Sequence, residues 1–281
     1  MLKLRTIDEG RLAEAAELLT EGFPLRSLAF WQRGLRRLAD HNRTMGEPAI
    51  GNFLVAGEVP VGILLTIPSH DPQTGRKLVN LSSWYVKESH RWSAARLMMA
   101  ALADRNVTYT DFTPTKAAVE VNARFGFRSI GFKRLLLFLP WLAIVGRRRG
   151  RLVPLSAVPA GAVPDALMRA LGNHEKLGCI VTAIESAGRY APVVFDVIPR
   201  KRIPSARVVY AEGTDVITDN LAALARLLVR RGVPLLTLQV DESKHVPHAR
   251  VWERGLCYQV RGEWNDRIIN ELYSERVLLK V

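Results

Sequence analysis

The chain has 281 residues, of which 48% are hydrophobic and 24% are charged, so it is long enough for one large or two ordinary globular domains. Cys179 and Cys257 are its only cysteines, which excludes a disulfide framework or a cysteine-rich zinc site and, without a signal-peptide pattern at the start, predicts a cytoplasmic protein. The formal net charge of +13 suits an anionic ligand, but the arginines are spread along the whole chain without aromatic interleaving, so no specific nucleic acid is expected.

Residues 1–70 show the periodicities of a strand, two helices and a hairpin. Polar and apolar residues alternate over residues 2–7, which predicts the first strand. Apolar residues then recur at helical spacing in two stretches, and two further strands are predicted over residues 53–67 with their turn at Gly57. The two helical stripes are Leu12, Ala15, Ala16 and Leu19, then Trp31, Gly34, Leu35 and Leu38.

Residues 80–127 carry the most informative pattern, which predicts a strand, a helix, a second strand and a second helix. The second strand, at residues 107–112, is short and rich in β-branched and aromatic residues. Thr113 is predicted to cap the second helix, with Pro114 in its first turn and Gly126 at its end. A strand–helix–strand unit of this length is a crossover, so its two strands are expected to be parallel. The stripe of the first helix is Ala94, Leu97, Met98, Ala101 and Leu102.

These residues resemble the acyl-CoA-binding core of the GNAT superfamily of acyltransferases. In that family the fourth strand ends in a valine, here Val86, and a turn of the form Gln/Arg-x-x-Gly-x-Gly/Ala follows. The turn falls on residues 90–95, with Ser93 in place of the first glycine. A later family pattern, Asn-x-x-Ala-x-x-Leu-Tyr-x-x-x-Gly-Phe, is matched at its alanine, its aliphatic position and its Gly-Phe, with Thr115 and Asn122 in place of the asparagine and the tyrosine.

The resemblance implies an α/β fold, a GNAT-like mixed sheet flanked by helices, with acyl-CoA as co-substrate and no metal. The amides of the turn would hold the CoA pyrophosphate, and Arg91 would add a positive charge. The residues implied for CoA binding are Trp84, Val86, His90, Arg91, Trp92, Ser93, Ala94, Ala95 and Thr115.

Proton transfer is the part of the family's chemistry that the sequence does not reproduce. The family often places a glutamate base four residues before the valine, here Ser82, and a tyrosine acid at the position of Asn122. Tyr85 and Tyr109 are predicted to take over part of this role, although each also fits the pattern of a packed strand residue. A water relay without a strong base is an alternative. Further substitutes close in sequence are Glu88, His90 and Asp111.

An apolar run at residues 135–145 lies between basic flanks and is too short to span a bilayer, which needs about 20 residues. It is interpreted as a closing strand followed by a buried interdomain segment. The alternative is a weak membrane-surface contact through residues 135–149, with Trp141 at the interface. The arginine–glycine run and the prolines that follow predict a linker at residues 146–160, after a first lobe at residues 1–145.

Residues 161–281 weakly repeat the plan of the first half, which predicts a second, degenerate GNAT-like lobe. The repeat includes a helical stripe before a strand at residues 233–240 and a short predicted helix at residues 247–254. The turn before its central helix carries Asp215 and Asp219, which would oppose a phosphate, so CoA is expected in the first lobe. The second lobe is then structural or shapes the acceptor cleft. The sequence His245-x-x-His248 is interpreted as a solvated turn, not as a metal site.

The whole sequence predicts a two-lobed acyltransferase that moves an acyl group from acyl-CoA to an amine or hydroxyl of an unidentified small molecule. One alternative is a GNAT-like scaffold that binds acyl-CoA or a partner without catalysis. The other is a basic protein that binds nucleic acid or a membrane surface, which a steep salt dependence of binding would favour.

Overall fold

The computed structural model describes residues 1–146 and 150–280, which form two compact units. The first unit contains Met1–Arg128, Tyr258–Trp264 and the chain from Tyr273 onward, and the second contains Ser129–Cys257 and Asn265–Leu272. These bounds differ from the predicted lobes, because the chain changes unit at residue 129 and its C-terminal segment belongs to the first unit. The arginines at 147–149 that suggested the boundary lie outside the described residues.

The elements alternate between strands and helices along most of the chain. The strands are β1 (Leu2–Thr6), β2 (Gly51–Ala56), β3 (Val59–His70), β4 (Lys77–Val86), β5 (Thr108–Asp111), β6 (Arg128–Phe138), β7 (Arg151–Val153), β8 (Ile180–Ser186), β9 (Arg189–Arg200), β10 (Ile203–Ala211), β11 (Leu235–Val240), β12 (Ala249–Arg261) and β13 (Ile269–Asn270). The helices are α1 (Leu12–Gly22), α2 (Leu28–Thr44), α3 (Ala95–Ala101), α4 (Lys116–Arg124), α5 (Leu139–Val145), α6 (Asp165–Lys176), α7 (Thr214–Asp219), α8 (Leu221–Arg230) and α9 (Glu275–Leu278).

The first unit is built on a mixed sheet in the order β1-β2-β3-β4-β5. Neighbours are antiparallel except β4 and β5, which are parallel and are connected through α3, so the predicted crossover is confirmed. The end of β12 pairs antiparallel with β5, Gln259 opposite Asp111. Leu97 and Met98 of α3 pack on Leu64 and Leu81 of the sheet in one buried cluster. This arrangement confirms the predicted fold class, a mixed sheet flanked by helices.

The second unit repeats this order as β7-β8-β9-β10-β11. Its neighbours are again antiparallel except for the last pair, β10 and β11, which are parallel and are connected through α7 and α8. Residues 133–138 of β6 pair antiparallel with β11, which explains why they belong to this unit. The weak internal repeat in the sequence is therefore a repeat of topology.

The helix predicted at residues 247–254 is wrong, because residues 249–254 are the first half of β12 and residues 247–248 form a turn before it. Gly255 lies within the strand at φ +62° instead of ending a helix. In the second unit β12 lies beside β6, and Glu253 pairs with Arg134 of that strand. Pairing with a neighbour outweighs a weak local pattern in so short a segment.

The apolar run at residues 135–145 forms the end of β6 and then α5, with Pro140 in the first turn, where no backbone donor is needed. Leu142 is buried in the core of the second unit, as are Leu135, Leu137 and Leu139. The opposite side of the segment exposes Phe138, Trp141, Ile144 and Val145, at 58%, 53%, 79% and 46% of their surface. None of the helices in the described part of the chain is long and apolar enough to cross a membrane.

Candidate active site

The two parallel strands of the first unit separate at their carboxyl ends. Their ladder covers three residue pairs and ends at Asn80 opposite Thr110, while β4 continues to Val86. On its other side β4 carries a bulge, since Ile63 of β3 lies opposite Tyr85 and Leu65 lies opposite Ser82. A bulge changes the direction in which side chains point, so consecutive residues can face the same side.

A cavity of about 440 Å³ opens where the strands separate. Ser82, Ser83 and Trp84 line it together, as the bulge allows, and Ser83 itself adopts φ +52°. Small side chains of α4 and of the turn before it form another wall, and Arg26 brings a positive charge. The remaining lining residues are Phe23, Trp31, Leu64, Leu81, Met98, Asp111, Thr113, Pro114, Thr115, Ala117, Ala118 and Val121.

Asp111, the last residue of β5, is the acidic side chain of this lining. Its Oδ2 accepts a hydrogen bond from Asn122 Nδ2 at 3.0 Å, and its Oδ1 accepts one from the Thr113 backbone N–H at 3.2 Å. Burial raises the pKa of Asp111 to about 6, although these two hydrogen bonds and the positive charge of Arg276 act in the opposite direction. The carboxylate is thus ionised at neutral pH and binds a proton more readily than an exposed aspartate does.

The loop that follows Asp111 is held by the C-terminal segment of the chain. Thr113 Oγ1 donates a hydrogen bond of 2.8 Å to Glu275 Oε1, and Arg276 donates one of 3.0 Å to the carbonyl of Phe112. Glu275 is fully buried, and its backbone N–H donates to Asn80 Oδ1 at 3.1 Å. No local signal in the sequence links these residues, because more than 160 positions separate Thr113 from Glu275.

The structure brings two of the four predicted catalytic residues to this place. Ser82 lines the cavity, and its Oγ lies 3.1 Å from that of Ser83. Asn122 is fully buried behind Asp111, to which it donates. The two tyrosines lie elsewhere: the hydroxyl of Tyr85 donates to Glu21 of α1, and that of Tyr109 donates to the carbonyl of Asp104, before β5.

The predicted pyrophosphate turn forms a six-residue 3-10 helix, Glu88–Ser93, that leads into α3 at Ala95. Ser93 is buried, and its hydroxyl donates to the carbonyl of His90 at 2.6 Å. Trp92 is 77% exposed, and Arg91 extends into solvent with Glu88 at 3.9 Å. Val86 and Ala94 flank this turn, and Ala94 packs against the buried cluster below α3.

The cap of α4 differs from the prediction, which placed it at Thr113 with Pro114 in the first turn. Thr115 is the cap, in an extended conformation, and its hydroxyl accepts from the Ala118 N–H at 3.2 Å. The helix begins at Lys116, so Pro114 precedes the cap instead of lying in the first turn. Gly126 follows the helix at φ +82°, as predicted. The hydroxyl of Thr113 is then available to Glu275.

In the second unit, the turn that corresponds to the predicted pyrophosphate turn follows β10 and begins at Gly213, with φ +137°. Asp215 in this turn forms an ion pair with Lys244. His245 and His248 line a separate cavity of about 370 Å³ in that unit, between the ends of α5 and α7. Asp241 accepts hydrogen bonds from the backbone and hydroxyl of Ser243, the pattern of a turn residue.

Of three comparisons with known proteins, only the one with solved structures finds similar proteins. No protein-family model matches the chain, and a search of curated proteins finds no match. Among solved structures, it is similar to a GCN5-related N-acetyltransferase from Anabaena variabilis, at 9% identity over 93% of this chain and 72% of that one, with a TM-score of 0.60. A GCN5-related N-acetyltransferase from Kribbella flavida is similar at 11% identity over 93% and 71% of the two chains, with a TM-score of 0.58.

A tandem GNAT protein from the clavulanic acid biosynthesis pathway matches at 12% identity over 94% of this chain and 100% of that one, with a TM-score of 0.52. At identities this low, the structural similarity establishes the fold alone. The activity has to be inferred from the residues of the site. The strand order of the first unit recurs in the second, as expected for the similarity to a tandem GNAT protein. The chain therefore has the GNAT fold, with two GNAT-like lobes in tandem.

Proposed function

We propose that this protein transfers an acyl group from acyl-CoA to an amine or hydroxyl of a small molecule, in the cavity of its first unit. The observation that carries the proposal is the position of Asp111. It is a carboxylate of raised pKa at the mouth of two separated parallel strands, beside a cavity large enough for the reacting ends of two substrates. Perturbed carboxylates inside clefts are typical of general bases.

The cavity has features that suit an acyl-CoA. Strand β4 runs six residues beyond the end of its ladder with β5, so its backbone can pair with the amides of an extended pantetheine arm. Trp84 lines the cavity, and its buried Nε1 has no hydrogen-bond partner within the described residues. A buried donor without a partner is costly, and a ligand acceptor would relieve that cost. The mainly apolar lining suits an acyl chain.

Acyl-CoA supplies the acyl group as a thioester, and the residues of the chain supply the proton chemistry. A protonated amine cannot attack a carbonyl, so a base must take its proton. Asp111 can do so because it is ionised above about pH 6, while Asn122 and Thr113 hold its two oxygens in place. Asn122, at the position of the family's tyrosine, thus acts through Asp111.

Strand β4 contributes two serine hydroxyls to the cavity, which are weaker acids than the family's tyrosine. The hydroxyls of Ser82 and Ser83 line the cavity together and can donate hydrogen bonds to a carbonyl oxygen or to the sulfur that leaves. The described lining includes no tyrosine, so these serines are the side-chain hydroxyls of β4 available for this purpose.

Arg91 is proposed to bind the CoA phosphates, with the turn at residues 87–95. Its side chain is exposed and its acidic neighbour Glu88 is 3.9 Å away, so an incoming phosphate can engage it. A charge-assisted hydrogen bond contributes roughly 1.5–3 kcal/mol, so Arg91→Ala is expected to weaken CoA binding about ten- to a hundredfold. Calorimetric titration of CoA measures this, with the exposed Arg105→Ala as matched control. Equal affinities of Arg91→Ala and the parent would refute this assignment.

A weak contact with an anionic membrane surface is a second proposal, supported by the exposed residues Phe138, Trp141, Ile144 and Val145 beside an arginine run in the sequence. Replacing Trp141 and Ile144 by Ser is expected to lower binding to phosphatidylserine-containing vesicles at least about a hundredfold, since each of the two side chains contributes roughly 1.5–3 kcal/mol when it is buried in the membrane interface. Sedimentation with vesicles measures it, with the exposed Leu25→Ser as control. Unchanged sedimentation of the double variant would remove this proposal.

A further inference from the structure

The C-terminal segment makes three contacts around Asp111, two with the loop that follows it and one with the neighbouring strand β4. Glu275 bonds Thr113 through its side chain and Asn80 through its backbone, and Arg276 bonds the carbonyl of Phe112. Asn80 also donates to the carbonyl of Thr110 at 3.1 Å, one residue before Asp111. The last residues of β5 and the loop after it are therefore fixed between β4 and α9.

The carboxyl of Glu275 is fully buried, and burial of an ionised carboxylate costs free energy unless it is paired. The pKa of Glu275 is raised to about 7, mainly by burial and in part by the negative charge of Asp111. The positive charge of Arg276 and the hydrogen bond from Thr113 act in the opposite direction. Its Oε2 has no hydrogen-bond partner within the part of the chain that the structure describes.

Two further ionisable groups near this segment come from α2, which packs against it. Arg37 donates to the carbonyl of Leu278 at 2.8 Å and so is directed at the end of α9. His41 stacks on Tyr273 at 4.7 Å between ring centres, and burial lowers the pKa of this imidazole. Asp111 is thus the acidic partner of Glu275 and Arg276 the basic one.

We propose that Glu275 is a positioning residue for acyl transfer, which holds Thr113 at the cavity and sets the proton affinity of Asp111 by its own charge. The proposal rests on the proposed function, in which Asp111 takes the proton of the acceptor. Thr113 donates to both carboxyls, through its N–H to Asp111 and through its hydroxyl to Glu275, so their ionisation is coupled. Glu275, the more deeply buried of the two, ionises at the higher pH. Once Glu275 is ionised, it makes Asp111 a stronger base.

The variant Glu275→Gln separates these states, because its amide oxygen still accepts from Thr113 while it stays uncharged at every pH. It is expected to match the parent in kcat near pH 6, where Glu275 is protonated. Near pH 8 its kcat is expected to fall roughly three- to tenfold with little change in KM, the effect of about one pKa unit on a general base. Glu120→Gln, an exposed position on α4, is the matched control. Equal pH profiles of parent and Glu275→Gln would overturn the proposal.

A second measurement needs no turnover. In carbon NMR of labelled aspartate carboxyls, the chemical shift of Asp111 is followed against pH. In the parent it is expected to change in two steps, one for Asp111 itself and one for Glu275, and in Glu275→Gln in a single step. If the parent lacks acyl transfer but shows the two steps, the proposed function fails while the coupling stands. If both proteins give a single, identical step, the coupling is refuted.

Should Glu275→Gln fail to fold, Thr113→Val removes the hydrogen bond from the other side and leaves both carboxyls in place. Because that bond lowers the pKa of Glu275, the second step of the Asp111 signal is expected to move to higher pH. A step that stays where it is in the parent would count against the proposal.

Discussion

Asp111→Asn is expected to lower kcat for acyl transfer about 10²–10⁴-fold, the contribution of one positioned general base, while acyl-CoA affinity stays near that of the parent. The amide has the shape of the carboxyl but cannot accept a proton at neutral pH. In the parent, kcat/KM is expected to rise with pH through about 6, because Asp111 must be ionised to act and burial raises its pKa to that value. Release of CoA thiol, followed over a panel of amines at several pH values, measures both effects.

The matched control is Asp104→Asn, in the turn that precedes the same strand. Its side chain accepts from the Asn106 N–H at 2.9 Å in the turn before β5, a bond that an asparagine can keep. A loss of less than about tenfold in Asp111→Asn would exclude Asp111 as the base. Tight acyl-CoA binding by the parent without thiol release for any acceptor would instead favour the non-catalytic scaffold.

The sequence was sufficient for the fold because its signals were local. Stripes such as Trp31, Leu35 and Leu38 in α2 have the period of a helix, and all three side chains are buried. The crossover between β4 and β5 follows from the length of the strand–helix–strand unit, since a tight turn cannot connect parallel strands. The second half could be predicted by the same rule, and β10 and β11 are parallel as well.

The sequence was less informative where partners are distant or where a segment is short. A helix was predicted at residues 247–254, which include the first half of β12, because eight residues carry too little periodicity to separate helix from strand. The pairing of β12 with β6 has no local signal in the sequence. Thr113 was predicted as a helix cap because Thr-Pro is a common start of a helix, whereas its hydroxyl binds Glu275.

The site itself depends on burial, which sequence spacing does not specify. Tyr85 and Tyr109 lie near the resemblance motifs, yet each hydroxyl is bound to another group away from the cavity. Asp111 was one of several nearby candidates, and its distinction comes from desolvation inside the fold. Glu275 had no signal at all, because its partners are contributed by β4 and by the loop after β5.

The central claim is that acyl-CoA occupies the cavity of the first unit, and a blocked cavity tests it most directly. Ala118 and Ala123 are both on α4, but Ala118 lines the cavity whereas Ala123 is exposed. Calorimetric titration of CoA and acetyl-CoA against Ala118→Trp and Ala123→Trp compares the two at equal change of side chain, with thermal unfolding to show that both are folded. Ala118→Trp is expected to lose at least about a hundredfold in affinity, or about 2.7 kcal/mol, while Ala123→Trp binds like the parent. Parental affinity in a folded Ala118→Trp would contradict the assignment of this cavity to acyl-CoA.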